Sequence, residues 1–396
     1  LICLLNGSSI WERLDTVPRA GDGRTSELLS ALAWRVPAPY GVTRFHPLPA
    51  LPAGAVERGF DVDQTNHSVV VGETVVVKWL TPAAPLPQPA PEMLAHLAEV
   101  GFTATAAPYA AITRGGELLA LVTAYLPDAR DGWEWCVDEA AAGRTGFTAG
   151  LGVLAADLHV ALATPSAAFP DPVRLSPACP PGGRERPPAR STESGRRSRS
   201  GDPGAGPGTR PPSPWAVRAE AALGEALELT GGEDGEWLAA RADLLAERFR
   251  VLSDHGPTPL IRIHGDLHVG QILRWSGGYA VVDFDGNPTV SDADPYQPAA
   301  RDLAQLSTSL EHAGQVAIRR RDADPAATAR WAARAVLSLR DAYTGRLRER
   351  GHAHLLHDGL LRAFAAEQEC RELVYAARHL PRWRYAPMGV LRSWYD

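Results

Sequence analysis

Lysine is almost missing from this chain. Of its 40 basic residues only Lys78 is a lysine. Asparagine is nearly as rare, at Asn6, Asn66 and Asn287. A GC-rich coding sequence, which favours Arg and Ala codons, accounts for both shortages. Under that pressure a retained lysine hints at a place where arginine's planar fork cannot replace a compact ammonium. Cysteine is sparse too. Cys3, Cys136, Cys179 and Cys370 are scattered, with neither metal-ligand spacing nor a disulfide framework, and a reducing cytoplasm is the simplest compartment. No apolar run is long enough to span a bilayer, so no membrane partner is expected. There is no basic excess, and a net charge of −6 argues against nucleic acid as the main partner. The opening LICLLNGSSIWERLD lacks a basic n-region and a small-residue cleavage site. It reads poorly as a signal peptide and better as a first strand or a truncated start.

What remains is ordinary globular material, 45% hydrophobic and 22% charged. With 396 residues, two or three units are expected. Residues 1–40 mix short apolar runs with turn residues and read as a small N-terminal cap. Residues 41–126 are strand-rich. His67 to Leu80 is two β-branched runs around Gly72-Glu73, a hairpin pattern that places Lys78 on the second strand. Pro91 and the spacing of Glu92 to Val100 predict a helix. A second hairpin turns at Arg114-Gly-Gly-Glu and ends before Pro127. From 127 to 396 the chain reads as mostly helical, with one helix over Gly146 to Thr164 and two between Trp215 and Ser253. Residues 176–214 are rich in Pro, Gly, Arg and Ser and too poor in apolar residues to repay their ordering entropy. Disorder is expected there, in a flexible linker or a stretch of GC-rich DNA read out of frame.

The dense polar run is IHGDLHVGQILRWSGGYAVVDFDGNP, Ile263 to Pro288. Its acidic groups either sit on solvated loops or surround a cation. Asp266 follows the apolar strand Ile261-Arg-Ile263, Gln271 comes five residues later, and Asp283 follows the strand Ala280-Val-Val282. A loop, a hairpin and a second loop would bring Asp266, Gln271 and Asp283 to one end of a small sheet. An amide oxygen and carboxylates there suit Mg²⁺, with Asp285 as a further oxygen donor. Asp266 would then be placed to orient a hydroxyl and accept its proton. That division of labour is the one kinases use, and H-x-D-x-x-x-x-N followed by D-F-G is its sequence trace. Here it reads His264-Gly-Asp-Leu-His-Val-Gly-Gln271 and Asp283-Phe-Asp-Gly286.

The upstream half of such a site needs a strand lysine and a helix glutamate. Lys78 and Glu92 are the candidates, with Glu99 next on the same helix. No G-x-G-x-x-G precedes Lys78. Asn66, His67 and Ser68 are there instead and could offer N–H groups to phosphates. Tyr125-Leu126 falls where an inter-lobe hinge should meet adenine.

These motifs resemble the aminoglycoside-phosphotransferase-like, protein-kinase-like small-molecule kinases. Within them the chain is most similar to the actinobacterial sugar kinases, maltokinase and glucosamine kinase. The likeness runs from about Phe45 to the end, apart from the 176–214 insert, and includes Tyr375-Ala-Ala-Arg-His-Leu-Pro-Arg-Trp383. Phe284-Asp-Gly-Asn-Pro288 departs from the Phe-Glu-Gly-Glu-Pro of maltokinases and favours glucosamine kinase. The resemblance implies a bilobal α+β fold with a cap, ATP between the lobes, Mg²⁺, and transfer to the 6-hydroxyl of glucosamine; a monomer is expected. Glu369 and Glu372 share a helix face and would suit a protonated amino group, Trp383 would stack on the sugar, and Asp302 is a further acceptor-pocket candidate. The alternatives are a maltokinase, an antibiotic phosphotransferase, or a pseudokinase that binds nucleotide without turnover. The pseudokinase reading is weakened by the presence of Lys78, Asp266 and Asp283 together.

Overall fold

A hairpin of valines sets up the N-terminal part. In the computed structural model, which describes residues 9–14, 16–60, 67–176, 213–287 and 294–396, β3 (His67–Val71) and β4 (Val75–Pro85) pair with Val71 opposite Val75. The turn needs left-handed backbone, with Gly72 at φ 59° and Glu73 at φ 49°. Both strands belong to a six-stranded antiparallel sheet of order β1-β5-β6-β4-β3-β2. The others are β1 (Tyr40–Arg44), β2 (Glu57–Arg58), β5 (Pro108–Arg114) and β6 (Glu117–Ala124). Side chains alternate faces along β4. Val75, Val77 and Trp79 are buried against α1 (Arg24–Ala31), so Lys78 faces the other way.

The N-terminal segment is thus packed onto the sheet rather than standing apart. Leu28 and Leu29 are buried against the valines. Glu57 ties the start of α1 to β2: its carboxylate accepts from the N–H groups of Gly21, Gly23 and Ser26 at 3.1, 3.0 and 2.7 Å. Those donors have no intrahelical partner, and a carboxylate suits the positive end of a helix. The helix α2 (Pro89–Glu99) starts on a proline, whose missing N–H costs nothing there.

The C-terminal part is helical. It contains α3 (Gly132–Ala141), α4 (Thr148–Leu162), β7 (Val173–Leu175), α5 (Pro214–Leu229), α6 (Gly232–Ala239) and α7 (Ala242–Phe249). After β8 (Pro259–Arg262) come the hairpin β9 (Ile272–Trp275) and β10 (Gly278–Val281), and then β11 (Tyr296–Gln297). Four long helices close the chain: α8 (Ala300–Arg321), α9 (Pro325–Glu349), α10 (Leu361–His379) and α11 (Tyr385–Tyr395). The stretch from Trp215 to Ser253 holds three helices, not the two expected. The extra break falls at Arg241, at φ −116° and ψ 5°, in a run of good helix formers. Tertiary contacts override local propensity there: Leu238 and Leu245 are both buried, and Arg241 pairs with Asp396 at 2.6 Å.

The two parts meet along a short seam. Thr105 Oγ1 donates to the Val281 carbonyl at 2.7 Å, and Val281 N–H donates to the Ala104 carbonyl at 2.9 Å. The fold is α+β and bilobal, with a sheet-rich first part and a helical second part. Asn66, Pro288 and nearly all of the 176–214 insert lie outside the described residues.

Candidate active site at the seam between the lobes

The loop between β8 and β9 is held on every side. Asp302, on the first turn of α8, accepts from the N–H groups of His264 and Gly265 at 2.8 and 2.9 Å. His264 Nδ1 accepts from Asp266 N–H at 3.3 Å, so its Nε2–H donates to the Val282 carbonyl at 3.0 Å. Ser309 Oγ accepts from Val269 N–H at 3.1 Å. Gly265 sits at φ 83°, which a side chain would strain. Each bond fixes backbone rather than side chain, so Asp266 is presented on a rigid support.

The Asp266 carboxylate gathers amides. Its Oδ1 accepts from Asn287 Nδ2 at 2.8 Å and Gln305 Nε2 at 2.7 Å. Its Oδ2 lies 3.5 Å from Gln271 Nε2 and 3.6 Å from His268 Nε2. Burial works to raise its pKa, but His268, Gln305 and His264 outweigh burial and hold it down to about 2. Asp266 is therefore a fully ionised carboxylate, aimed into a cavity of about 700 Å³.

Across the seam, Lys78 reaches from β4 to the loop after β10. Its Nζ is 2.7 Å from Asp283 Oδ1 and 2.7 Å from Asp285 Oδ2. Burial pushes the Lys78 ammonium down, but the two carboxylates prevail and raise it. Burial also works to raise Asp283, yet Lys78 draws it below the usual carboxylate range. Asp285 goes up, through burial and the neighbouring Asp283 charge. Two carboxylates thus share one cation, and the second is left short of positive charge. Asp283 holds a left-handed φ of 65°, uncommon outside glycine and typical of functional loops. Among the described residues no three His, Cys, Asp or Glu cluster as a metal cage. Asp283 and Asp285, side by side on Lys78, are hard oxygen donors of the kind Mg²⁺ takes, an ion that keeps waters and phosphate oxygens as its other ligands, whereas the Gln271 amide N–H turns toward Asp266 at 3.5 Å. The two carboxylates fit the ion by their chemistry.

Not every expected partner is brought together. Glu92 does not meet Lys78: its Oε2 accepts from Arg262 Nη1 at 2.7 Å. Arg262 on β8 is the cation nearer to α2, and it stacks over Phe169 with its guanidinium 4.3 Å from the ring centre. Glu99 caps a turn instead, accepting from Ala167 N–H at 2.9 Å. Ser68 stands opposite Lys78 in the strand register. Tyr125 N–H donates to the Thr74 carbonyl, and its hydroxyl accepts from Arg58 at 2.9 Å. Leu126 is buried against Ala106 and Ala280 at the lobe junction. Asp302 does not line the cavity. It is fully buried, because its helix turns it toward the loop backbone and His159. It is a positioning residue. Asp302→Ala is expected to lower stability by roughly 2–5 kcal/mol, since two buried N–H groups lose their acceptor; a denaturant midpoint like that of the parent chain would contradict this.

Much of the cavity wall is built by α8, which also brings Gln305 to Asp266, and by α10. Glu372 lines it, accepting from Trp383 Nε1 at 2.8 Å and Gln368 Nε2 at 3.0 Å. Trp383 lines it too, in edge contact with Trp133 at 5.6 Å and His312 at 5.5 Å. Glu369 shares the helix face of Glu372 but is fully buried behind His312, whose Nε2 is 2.9 Å away. Burial pulls His312 down, yet the Glu369 charge raises it to about 9, while burial lifts Glu369 to about 7 against His312. Both groups hold a proton more tightly folded than unfolded, so their contribution to stability decays as pH rises through 7 toward 9. The double variant His312→Gln/Glu369→Gln, which removes both titrating groups, should flatten that decline in denaturation midpoints taken from pH 6 to 9; curves parallel to those of the parent chain would contradict the pairing. Gln305 was not singled out by the sequence motifs. Its signal was its place three residues after Asp302, on the same face of α8.

A glucosamine kinase of Streptacidiphilus jiangxiensis is 39% identical over 389 residues, covering 93% of this chain and 80% of that protein. The chain belongs to the glucosamine kinase family. A glucosamine kinase of Mycolicibacterium smegmatis is 35% identical over 356 residues, covering 86% of this chain and 80% of that protein. A solved glucosamine kinase in complex with glucosamine, ADP and inorganic phosphate superposes with a TM-score of 0.74 at 36% identity, over 96% of this chain and 84% of that one. A second glucosamine kinase crystal form gives 0.75 at 35% identity, over 96% and 86% of the two chains. No model of a known protein family matches the chain. The glucosamine kinase likeness therefore covers both lobes and the seam between them.

Proposed function

We propose that this chain transfers the γ-phosphoryl group of ATP to the 6-hydroxyl of D-glucosamine. The observation that carries the reading is the position of Asp266. Its carboxylate opens into the 700 Å³ cavity on one side, while the Lys78–Asp283–Asp285 cluster occupies the seam where the lobes meet. In this reading Asp266 orients the acceptor hydroxyl and takes its proton as the new O–P bond forms and the bond from the γ-phosphorus to the bridging oxygen of the leaving ADP breaks. Gln305 and Asn287 hold the carboxylate in that orientation. Lys78 holds the α- and β-phosphates, and Tyr125-Leu126 meets the adenine. Gln271, Asp283 and Asp285 would hold Mg²⁺, which supplies charge neutralisation for the phosphates.

On the acceptor side, Glu372 faces the ammonium of the amino sugar and Trp383 offers an apolar face to the ring. The Glu372 carboxylate is fixed by Trp383 and Gln368, which favours recognition by position over recognition by flexible charge. Glu369 acts one layer behind, by holding His312. The described thiols, Cys136 and Cys370, are buried and free, as suits a reducing cytoplasm. Among the described residues no helix is long and apolar enough to cross a membrane. The test is turnover. With Mg-ATP and glucosamine, the purified protein should release ADP and form a product whose phosphorus couples to the C6 protons by NMR.

A further inference from the structure

The side of α8 that faces away from the acceptor pocket borders a second cavity, of about 300 Å³. This is the low end of the range for small-molecule sites, roughly 300–1,000 Å³. Ser307, Thr308 and Glu311 line it at helical spacing, while Gln305, Ser309 and His312 line the acceptor pocket. Thr308 borders both. The remaining walls bring three guanidinium groups from three helices: Arg248 of α7, Arg340 of α9 and Arg362 of α10. Arg248 spends one N–H on Tyr395 Oη at 2.6 Å, and Arg340 spends one on Asp358 at 2.9 Å. An arginine has five N–H donors, so each keeps others for a ligand. Besides Asp358 on Arg340, the carboxylate that lines the cavity is Glu311, whose Oε1 accepts from Trp394 Nε1 at 2.8 Å. That bond fixes both the acid and the indole at the cavity wall. Burial raises Glu311 to about 7, more than Trp394 lowers it, so a nearby ligand cation would draw it into its charged form.

We propose that this cavity binds a phosphorylated amino sugar, with the phosphate on Arg248, Arg340 and Arg362, the ring against Trp394 and the ammonium at Glu311. Arginine forks match phosphate oxygens, a carboxylate matches an ammonium, and an indole offers a flat apolar face to a sugar ring. The ligand class is read from these groups alone. That such a ligand is also this chain's own product rests on the proposed function. The cavity's floor then gives the ligand a route to the chemistry. The same helix carries Gln305, 2.7 Å from Asp266, and Ser309, which holds the Val269 N–H. A ligand that shifts α8 alters the support of Asp266 without entering the acceptor pocket.

The experiment is a calorimetric titration of glucosamine 6-phosphate into the full chain, saturated beforehand with Mg²⁺, glucosamine and a non-hydrolysable ATP analogue. One binding event per chain is expected. The double variant Arg340→Ala/Arg362→Ala should weaken it roughly tenfold or more, since it loses two charge-assisted contacts. Glu311→Gln should weaken glucosamine 6-phosphate binding more than binding of inorganic phosphate alone. Arg362→Ala by itself, on an exposed residue, gives the same direction of change should the double variant fold poorly. No binding, or binding that all of these variants leave unchanged, would overturn the proposal. Failure of the kinase reading shows separately, as absent turnover with glucosamine while the titration signal persists.

Discussion

Asp266→Asn is expected to lower kcat by roughly 10²–10⁴-fold, the usual contribution of a positioned acid–base group. The replacement is nearly isosteric. An asparagine whose oxygen takes the place of Oδ1 keeps the hydrogen bonds from Asn287 and Gln305. What disappears is the negative charge, held at full ionisation by a pKa of about 2, and with it the acceptor for the hydroxyl proton. Nucleotide binding depends on the other side of the seam, so calorimetric affinity for Mg-ATP should stay close to that of the parent chain. Acceptor-dependent ADP release measures the loss. Turnover within a few-fold of the parent chain would mean that another group takes the proton.

Asp283→Asn is expected to fail in a different way. Both kcat and the affinity for Mg-ATP should drop, the latter by roughly tenfold or more, because the proposed Mg²⁺ site loses a charged oxygen ligand. Stability should hardly move. Asparagine tolerates the left-handed φ of 65° at this position, and removing one of two adjacent carboxylates relieves the repulsion that raises Asp285. Lys78 keeps its 2.7 Å contact with Asp285. A titration of Mg-ATP against a denaturation curve separates these effects. Unchanged nucleotide affinity with impaired folding would make Asp283 a structural residue.

The loop half of the candidate site is legible in the sequence because its spacing is local. His264 to Gln271 is one loop, and Asp283 follows it after one hairpin, so short-range geometry places them together whatever the rest of the chain does. The valines around Gly72-Glu73 likewise encode a hairpin and, by alternation, the face on which Lys78 projects. What could not be read was decided between distant elements. Glu92 was expected at Lys78, but the approach of β8 places Arg262 beside it instead. Asp302 and Glu369 looked like acceptor ligands because they carry charge near the right motifs. Their helices turn both into the interior, where one holds the loop backbone and the other holds His312. Gln305 escaped notice because an amide in a long helix has no motif of its own. The break between α6 and α7 had no local sign either, since only packing of Leu238 and Leu245 distinguishes it from continuous helix.

The most direct measurement of the central claim is ADP release by the purified protein with Mg-ATP and separate acceptors: glucosamine, maltose, glucose and an aminoglycoside. Release that depends on glucosamine, with little from the other three, is the expected result. It would join the amino-sugar pocket to the Asp266 machinery. Release with maltose instead would keep the mechanism and contradict the assignment of Glu372 to an ammonium. Silence with all four acceptors, from a folded protein that binds Mg-ATP, would contradict the kinase itself.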